Sequence, residues 1–343
     1  MTTTKLERFL RSTSGTEIAR YPLGIPTPVA DSVRQLSAFP SNAARRLLKE
    51  LEMLARNPNL PVLLEGETGT GKTLAARAIH DLSTRRGGPF RRVDLGTTRR
   101  DFAASELFGH MPGAFTGATT ERVGDFPRAH RGSIALDEIG KCDLDVQQQL
   151  LGASEYGHFR PMGSERWFTV DVRVVAATNV NLSEQAAKGL FLPDLFARIE
   201  AGRIVLPPLR ARRDDIPTLL ADAISGSCRR MGRATPPSIS DELLAAALEY
   251  DWPANLRELV MTFDRIVTEA GTSPVLLTSH VSSYLAFGRR LKGKRRRVPP
   301  SEVVRIHALV GGSVEKTVAL AHVSRATVFR HVRAARERGH KDA

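Results

Sequence analysis

Eight consecutive residues of the chain have the types and the spacing that hold the phosphates of a nucleotide. They match the pattern G-x-x-x-x-G-K-[ST] and are Gly66, Glu67, Thr68, Gly69, Thr70, Gly71, Lys72 and Thr73. The glycines let backbone N–H groups curl around phosphate oxygens, Lys72 supplies a cation to the β and γ oxygens, and Thr73 offers a hydroxyl to Mg²⁺. An apolar segment precedes the pattern and a helical segment follows it, so the context also predicts a site for ATP and Mg²⁺.

A pair of carboxylates supplies the second half of such a site. The apolar run at 133–136 is followed directly by Asp137 and Glu138. Asp137 is predicted to hold Mg²⁺ through water, and Glu138 is predicted to polarise the attacking water. Together with Lys72, these carboxylates indicate hydrolysis of the bond between the β and γ phosphates, with Lys72 and Glu138 as catalytic residues.

The elements that must position these residues are short apolar runs that alternate with helical segments between residues 36 and 208. The runs lie at 61–64, 90–95, 133–136, 172–177 and 203–206. Strands interleaved with helices predict an α/β fold, with a parallel sheet covered by helices on both faces. Residues 209–286 have only helical period and predict a helical lid subdomain. Residues 1–35 have no clear periodicity, so they indicate an arm rather than a sensory domain.

Positive charge is concentrated at the C-terminal end of the sequence. The chain has a net charge of +13, and residues 289–343 carry +11 of it, with 15 Lys/Arg against 4 Asp/Glu. Because this segment also has helical patterning, the charge favours a nucleic-acid partner. Cys142 and Cys228 lack metal-ligand spacing and are predicted to be packing residues. With no apolar run near the length of a membrane span, we expect a cytoplasmic protein without a membrane partner.

A second group of motifs, in a fixed order along the chain, resembles a known family. Residues 105–110 read SELFGH and residues 113–118 read GAFTGA, followed by LDVQQQLL, HFRPMGS, VDVRVVAATN, LPPLRARRDDIP and WPANLREL. Over residues 40–343 the chain resembles the bacterial enhancer-binding proteins, which are AAA+ activators of RNA polymerase carrying sigma-54. The resemblance implies an AAA+ ATPase subdomain over 36–208 and an AAA+ lid over 209–286.

The GAFTGA residues carry the implied contact with sigma-54. They are Gly113, Ala114, Phe115, Thr116, Gly117 and Ala118, and by resemblance Phe115 and Thr116 make the contact itself. The chemistry agrees, because an exposed phenylalanine flanked by glycines is a mobile apolar finger that can bury its ring in a partner. The residues alone leave open an ordinary core phenylalanine beside a turn.

The resemblance also assigns roles to three residues around the nucleotide. Asn179 is expected to sense the γ-phosphate, Arg257 to reach the nucleotide from the lid, and Arg198 to act catalytically on the ATP of the neighbouring subunit. These roles imply self-association into a ring, a hexamer by resemblance, with ATP at each interface.

The end of the sequence fits the family's helix-turn-helix DNA-binding domain, a small all-α domain over residues 301–343 behind a basic linker at 287–300. A first helix is predicted over 313–320 and a recognition helix over 324–333. The predicted DNA-binding residues are Arg325, Thr327, Arg330, His331 and Arg333. Arg325 is the candidate for a base edge, and Arg330 and Arg333 are candidates for phosphates. A solvated helical hairpin with only salt-sensitive attraction to DNA is the alternative.

Four positions depart from the family pattern. Leu192 stands where a second trans arginine is usual, and Asp94 stands where an asparagine usually restrains the catalytic glutamate. Thr73 replaces a glutamate after the lysine, and His322 replaces a glycine at the helix-turn-helix turn. Loss of a trans arginine could cost orders of magnitude in rate, and a carboxylate at position 94 would repel Glu138 or share a proton with it.

Two functions follow from these observations. The first is an activator that binds upstream enhancer DNA and uses ATP hydrolysis to remodel the closed complex of sigma-54 RNA polymerase holoenzyme with its promoter. The second, motivated by Leu192 and Asp94, is an ATP-binding but hydrolysis-deficient DNA-binding regulator, or a heteromeric subunit partnered with a second activator. Because residues 1–35 are too few for a receiver domain, we expect control by a partner subunit, by expression level or by a separate inhibitor protein.

Overall fold

The computed structural model describes residues 4–14, 31–282 and 286–288, together with isolated positions between residues 304 and 335. The chain divides into two compact units, Met1–Val281 and Ser282–Ala343. Within the described ranges, no helix is both long and apolar enough to cross a bilayer.

Helices and short strands alternate through the first unit. The α-helices are α1 (Lys5–Ser14), α2 (Asp31–Ser37), α3 (Asn42–Ala55), α4 (Lys72–Leu82), α5 (Arg100–Phe108), α6 (Asp125–Arg128), α7 (Leu144–Tyr156), α8 (Leu182–Ala187), α9 (Pro193–Ile199), α10 (Ile216–Arg230), α11 (Asp241–Glu249) and α12 (Asn255–Ala270). The strands are β1 (Val62–Glu65), β2 (Phe90–Asp94), β3 (Gly109–His110), β4 (Arg122–Val123), β5 (Ser133–Asp137), β6 (His158–Phe159), β7 (Phe168–Thr169), β8 (Arg173–Thr178), β9 (Arg203–Val205), β10 (Ser238–Ile239) and β11 (Val275–Leu276). Short 3-10 helices occupy Ile139–Lys141, Glu200–Gly202, Leu209–Ala211, Arg213–Asp215 and Thr278–His280.

Five parallel strands form the central sheet in the order β2-β5-β8-β1-β9. Each strand begins and ends within one residue of a predicted apolar run, so the predicted parallel α/β sheet is confirmed. β5 and β8 are buried along their whole length, as expected for interior strands covered on both faces. The carboxyl ends of β1, β5 and β8 lie at one edge, which is where the predicted nucleotide residues follow them.

Two small hairpins project from the same subdomain. The β3–β4 loop, residues 111–121, contains GAFTGA, and the β6–β7 loop comprises residues 160–167. Met111 N donates to Met162 O at 2.9 Å, and Met162 N donates to Gly109 O at 3.0 Å. A Cβ placed on Gly163 would lie 2.8 Å from the Cβ of Ala114. The two loops are therefore packed directly against each other.

Aromatic side chains fix the hairpins to the core. The rings of Phe108, Phe126 and Phe159 lie within 6.4 Å of one another, centroid to centroid, and all three are fully buried. Such contacts add to the free energy of burial that holds the hairpin bases. The bases of both hairpins are thus rigid, and the loops between their strands lie at the surface.

The predicted lid consists of α10 to α12 around a buried tryptophan. Trp252 is fully buried, its indole N–H donates to Ala247 O at 2.9 Å, and its ring lies 6.3 Å from that of Phe263. The backbone turns sharply at Trp252 and Asn255, both of which have positive φ. This turn directs the start of α12 toward residues 66–73, the phosphate-binding loop or P-loop.

Helix α1 is absent from the sequence-based expectations, which give residues 1–35 no periodic structure. It is only ten residues long, and a helix of that length is marginal in water without tertiary contacts. Leu6 is 2% exposed and belongs to the hydrophobic core cluster, which explains why the helix forms. Leu6, Phe9 and Leu10 recur at the helical spacing i, i+3 and i+4, and Thr4 and Glu7 cap each other reciprocally, so the sequence contains a helix signal that the expectation for residues 1–35 missed.

Both cysteines are buried and free, as the sequence predicts. Burial raises the pKa of the Cys142 thiol to about 12, so its thiolate is scarce at neutral pH. These residues are packing side chains and not nucleophiles.

Candidate functional site

The P-loop connects β1 of the central sheet to the N-terminus of α4. Gly71 caps α4 with a φ of +105°, a conformation that side chains with a Cβ rarely adopt. Gly69 has a φ of +80°, and a Cβ there would lie 2.2 Å from Ala254 O. Only glycine therefore fits where the lid closes over the loop. The free N–H groups at the start of α4 are the anion-binding donors that the motif predicts.

Lys72 lies inside the curve of this loop. Its Nζ donates to Gly66 O at 2.7 Å and to Glu67 O at 3.1 Å. Burial lowers its pKa from the ordinary value, and the nearby carboxylates of Glu138 and Asp137 oppose that shift. An ammonium group curled over a glycine-rich loop fits an anionic phosphate, whose oxygens can replace the two carbonyls as acceptors.

Thr73 and Asp137 meet across the carboxyl ends of the strands. Thr73 Oγ1 donates to Asp137 Oδ2 at 3.3 Å, although the two residues are separated by 64 positions in sequence. Arg92 Nε also donates to Asp137 Oδ2, at 2.6 Å. A hydroxyl beside a buried carboxylate at the start of the P-loop helix fits Mg²⁺, a hard cation that takes oxygen ligands. The predicted metal residues are therefore brought together.

Glu138 directly follows β5 and has a φ of +57°. Lys141 Nζ lies 3.8 Å from Glu138 Oε2. A Cβ placed on Gly96 would lie 3.1 Å from Asp94 Oδ1, 3.2 Å from Lys141 Nζ and 3.3 Å from Glu138 Cβ. The sequence predicts that Asp94 repels Glu138 or shares a proton with it, and this cation is absent from that prediction. The only sequence signal for it is a lysine three positions after the glutamate.

The two predicted sensors reach the loop from different elements. Asn179 follows β8, and its Nδ2 donates to Thr68 Oγ1 at 3.2 Å. Arg257 lies in the first turn of α12, and its Cβ lies 3.1 Å from the place that a Cβ on Gly69 would occupy. The fold therefore places both residues beside the P-loop.

Arg198 lies elsewhere on the same chain. It is in α9, and its guanidinium donates to Ser154 O of α7 at 3.2 Å. The side chain is exposed on this face, as a residue that acts on a neighbouring subunit must be. Leu192, at the N-cap of α9, is half-buried against the core, and its N–H donates to Gln147 Oε1 at 2.7 Å.

A polar latch that sequence reasoning missed ties the lid to the P-loop. Asn255 is fully buried, its Oδ1 accepts from Leu209 N at 2.7 Å, and its Nδ2 donates to Glu67 Oε2 and Thr68 O at 3.1 and 3.0 Å. Arg210 forms an ion pair with Glu67 at 2.5 Å. The hydrogen bonds from Arg210 and Asn255 lower the pKa of Glu67 to about 2. The lid therefore contacts the loop directly and can respond to its contents.

Replacing Asn255 with alanine is expected to lower the free energy of unfolding by about 2–4 kcal/mol. The substitution leaves Leu209 N without its partner and places alanine at a φ of +54°. Urea titrations followed by circular dichroism would measure the loss. Asn255→Gly is the matched control, because glycine tolerates the backbone while the hydrogen bonds are still lost. An alanine variant as stable as wild type would contradict a structural role for the latch.

The GAFTGA residues form a compact turn rather than an extended finger. Gly113 N donates to Ala118 O at 2.7 Å, and Gly113 and Gly117 have φ of +83° and +95° with open space around them. Phe115 is half-buried, with its ring edge-to-face on His110 at 5.0 Å and on Phe102 at 5.8 Å. Phe115 is thus not a core residue, and the open glycines leave its turn free to change conformation.

Two protein-family models together match most of residues 38–297. Residues 38–205 match the sigma-54 interaction domain, and residues 210–297 match the AAA+ ATPase lid domain. The anaerobic nitric oxide reductase transcription regulator NorR of Salmonella agona (strain SL483) is 41% identical over 245 residues, which are 70% of this chain and 48% of the relative. The chain therefore contains a sigma-54 interaction domain followed by an AAA+ ATPase lid domain. It spans about half the length of the curated relatives that it matches.

Solved structures of NtrX from Brucella abortus share the fold. NtrX from Brucella abortus in complex with ADP has a TM-score of 0.67 at 26% identity, and the match covers 88% of this chain and 71% of that chain. NtrX in complex with ATP has a TM-score of 0.68 at 26% identity, with the same coverage. A protein of the same fold therefore binds adenine nucleotides.

Only part of the predicted DNA-binding segment can be placed. Val328 is fully buried, whereas Arg330 and Arg333 are exposed on helical backbone. Arg325, Thr327 and His331 lie outside the described residues, as does His322. The DNA-binding assignment therefore stays a prediction.

Proposed function

We propose that this chain is a cytoplasmic transcription activator that binds upstream DNA and hydrolyses ATP to remodel the closed complex of sigma-54 RNA polymerase with its promoter. One observation carries the proposal. Residues 38–205 match the sigma-54 interaction domain, and within them the P-loop residues, the Thr73–Asp137 contact and the GAFTGA turn belong to one subdomain. Because the nucleotide site and the partner-binding loop belong to one subdomain, ATP hydrolysis can be coupled to movement of the loop.

Four residues carry the chemistry in this proposal. Lys72 binds the β and γ phosphates, Thr73 and Asp137 hold Mg²⁺, and Glu138 orients the attacking water and accepts its proton. Mg²⁺, when bound, supplies positive charge to the phosphate oxygens. Lys141 holds the Glu138 carboxylate on the side of Asp94 until the site is complete.

The two predicted sensors, Asn179 and Arg257, couple the nucleotide site to the lid and to the neighbouring subunits. Asn179 Nδ2 donates to Thr68 Oγ1 of the P-loop, so a γ-phosphate that accepts this hydrogen bond instead changes the end of β8. Arg257 and the Asn255 latch transmit the same event to the lid. A neighbour's Arg198 completes the transition-state charge, so a closed head-to-tail ring, a hexamer by family likeness, is the active form.

The basic C-terminal segment tethers the ring to DNA. It carries +11 of the net charge of +13, which supports binding to phosphates, and Arg330 and Arg333 are exposed in it. Tethering upstream raises the concentration of the ring near the promoter without any new contact to the polymerase.

A hydrolysis-deficient regulator or heteromeric subunit is the second candidate. Leu192 supplies no charge where a second trans arginine is usual, and Lys141 engages the catalytic carboxylate. ATP turnover by the purified chain separates the two candidates. Activity only after mixing with a second activator would favour the heteromeric form.

An arginine placed at position 192 tests whether the lack of a second trans arginine limits ATP hydrolysis. Leu192→Arg is expected to raise ATP turnover at least about tenfold, because a trans arginine stabilises the charge that develops on the transferred phosphoryl group. Leu190→Arg is the matched control, since Leu190 lies two residues away and is 60% exposed. Turnover is measured by phosphate release at saturating ATP. Equal rates in both variants would show that position 192 does not face the neighbouring nucleotide.

Open-complex formation tests the activator itself. The purified chain is mixed at micromolar concentration with sigma-54 RNA polymerase and a supercoiled sigma-54 promoter, so that a specific upstream site is not needed. Strand opening, read by a reagent specific for unpaired thymines, is expected with ATP and not with a non-hydrolysable analogue. ATP turnover without strand opening would contradict the activator and leave the ATPase intact.

A further inference from the structure

Helix α1 is anchored to the β3–β4 loop by its N-terminus. Lys5 N donates to Glu121 Oε2 and Leu6 N donates to Glu121 Oε1, both at 2.7 Å. Glu121 is the residue before β4 and therefore ends the loop that contains GAFTGA. One carboxylate thus caps two backbone donors of a helix that lies 115 residues away in sequence.

The same helix reaches the β6–β7 loop through an ion pair. Glu7 pairs with Arg166, and the side chain of Glu7 is 14% exposed while that of Arg166 is 70% exposed. Glu7 also accepts from Thr4 N at 3.1 Å through its other oxygen, and Thr4 Oγ1 accepts from Glu7 N at 3.1 Å. This reciprocal capping holds the Glu7 side chain toward Arg166.

Apolar contacts complete the docking. Leu6 is 2% exposed within the core cluster, and Phe9 and Leu10 pack against the same cluster. The hydrogen bonds to Glu121 and the ion pair with Arg166 attach α1 to the two surface loops. α1 therefore bridges two loops that already pack on each other at Ala114 and Gly163.

We propose that α1 is an intramolecular clasp that holds the GAFTGA loop in its folded position. Movement of the β3–β4 loop away from the β6–β7 loop must separate Glu121 from Arg166, and α1 is attached to both. While α1 is docked, Phe115 stays against His110 and Phe102. Release of α1 frees the loop for its partner. The identity of that partner rests on the proposed function, and the mechanical restraint does not.

Charge reversal with rescue tests the clasp on the full chain. Hydrogen exchange of residues 111–121 is measured without nucleotide in wild type, Arg166→Glu, Glu7→Arg and the double variant. Each single variant is expected to exchange about threefold faster in this segment, in line with one exposed ion pair, and the double variant is expected to return toward wild type. Arg265→Glu, which breaks the Arg265–Glu269 pair in α12, is the matched control. Unchanged exchange in the single variants would overturn the clasp.

A stronger variant guards against a small effect. Leu6→Asp places a charge at a buried position and is expected to raise exchange of the loop at least about tenfold, while exchange of the central strands stays as in wild type. Loop exchange at the wild-type rate in Leu6→Asp would also overturn the clasp.

Binding to sigma-54 separates this proposal from the previous one. The released variants are expected to bind sigma-54 severalfold more tightly at equal ATP turnover. Faster loop exchange in variants that, like wild type, never bind sigma-54 would sustain the clasp and refute the activator. Normal sigma-54 binding with unchanged loop exchange would refute the clasp and sustain the activator.

Discussion

Replacing Lys72 with alanine is expected to reduce ATP turnover by at least about a thousandfold. The Lys72 ammonium lies within 3.1 Å of two carbonyls of the P-loop, in a partly dry pocket that Glu138 and Asp137 also face. A positioned charge in such a pocket stabilises developing negative charge far more than it would in water. Because binding and transition-state stabilisation both use this cation, its loss affects both. Phosphate release at several ATP concentrations measures the change.

Two further variants show that the loss is specific. Lys188→Ala removes an exposed lysine and is expected to leave turnover at the wild-type level. Glu138→Gln is expected to bind ATP normally and to hydrolyse it at least about a hundredfold more slowly, because the amide cannot accept a proton from water. Wild-type turnover no higher than that of Lys72→Ala would favour the hydrolysis-deficient regulator.

Phe115→Ala is expected to abolish strand opening while ATP turnover stays within about twofold of wild type. The ring is half-buried against His110 and Phe102 in a turn whose glycines face open space, so it can leave this position without disturbing the core. An aromatic anchor in an interface contributes about 2–4 kcal/mol, or roughly 30- to 1000-fold in binding. The readouts are thymine reactivity at the promoter and phosphate release.

The neighbouring Phe102 supplies the control for this variant. Phe102 is 38% exposed and contacts Phe115 in the folded position of the loop. Phe102→Ala removes that contact but keeps the ring at 115, so strand opening is expected to persist. If Phe115→Ala opens promoters as well as wild type while rings still form, the loop does not contact sigma-54. The chain would then be an ATP-responsive DNA clamp.

Local patterns specify the sheet and the phosphate loop. A buried parallel strand needs a continuous apolar run, and the five runs give the five strands to within one residue. The P-loop is equally local, because its glycines, lysine and hydroxyl act within eight positions. Asp137 and Glu138 follow from the same logic, since parallel strands end at one edge of a sheet. The roles of Asp137 and Glu138 can be predicted without knowledge of any contact between distant segments.

The order of the family motifs along the chain predicts further site residues, but it does not predict which side chains contact each other. The family resemblance places Asn179 and Arg257 at the nucleotide, and the structure brings both beside the P-loop. The same resemblance marks Asp94 as an anomaly without revealing Lys141 next to it. A cation on a short 3-10 helix has no periodic signature, so only coordinates relate it to the carboxylates.

The amino-acid sequence by itself determined the family resemblance, the parallel sheet, the P-loop and a glycine-flanked turn that carries Phe115. Tertiary structure decided the latch of Asn255 on Thr68, whose residues are 187 positions apart, and the docking of α1 on Glu121. The physical reason is the range of the interactions. Propensity, strand burial and phosphate-loop geometry act over a few residues, whereas a single buried amide or carboxylate finds its partners only after the chain has collapsed.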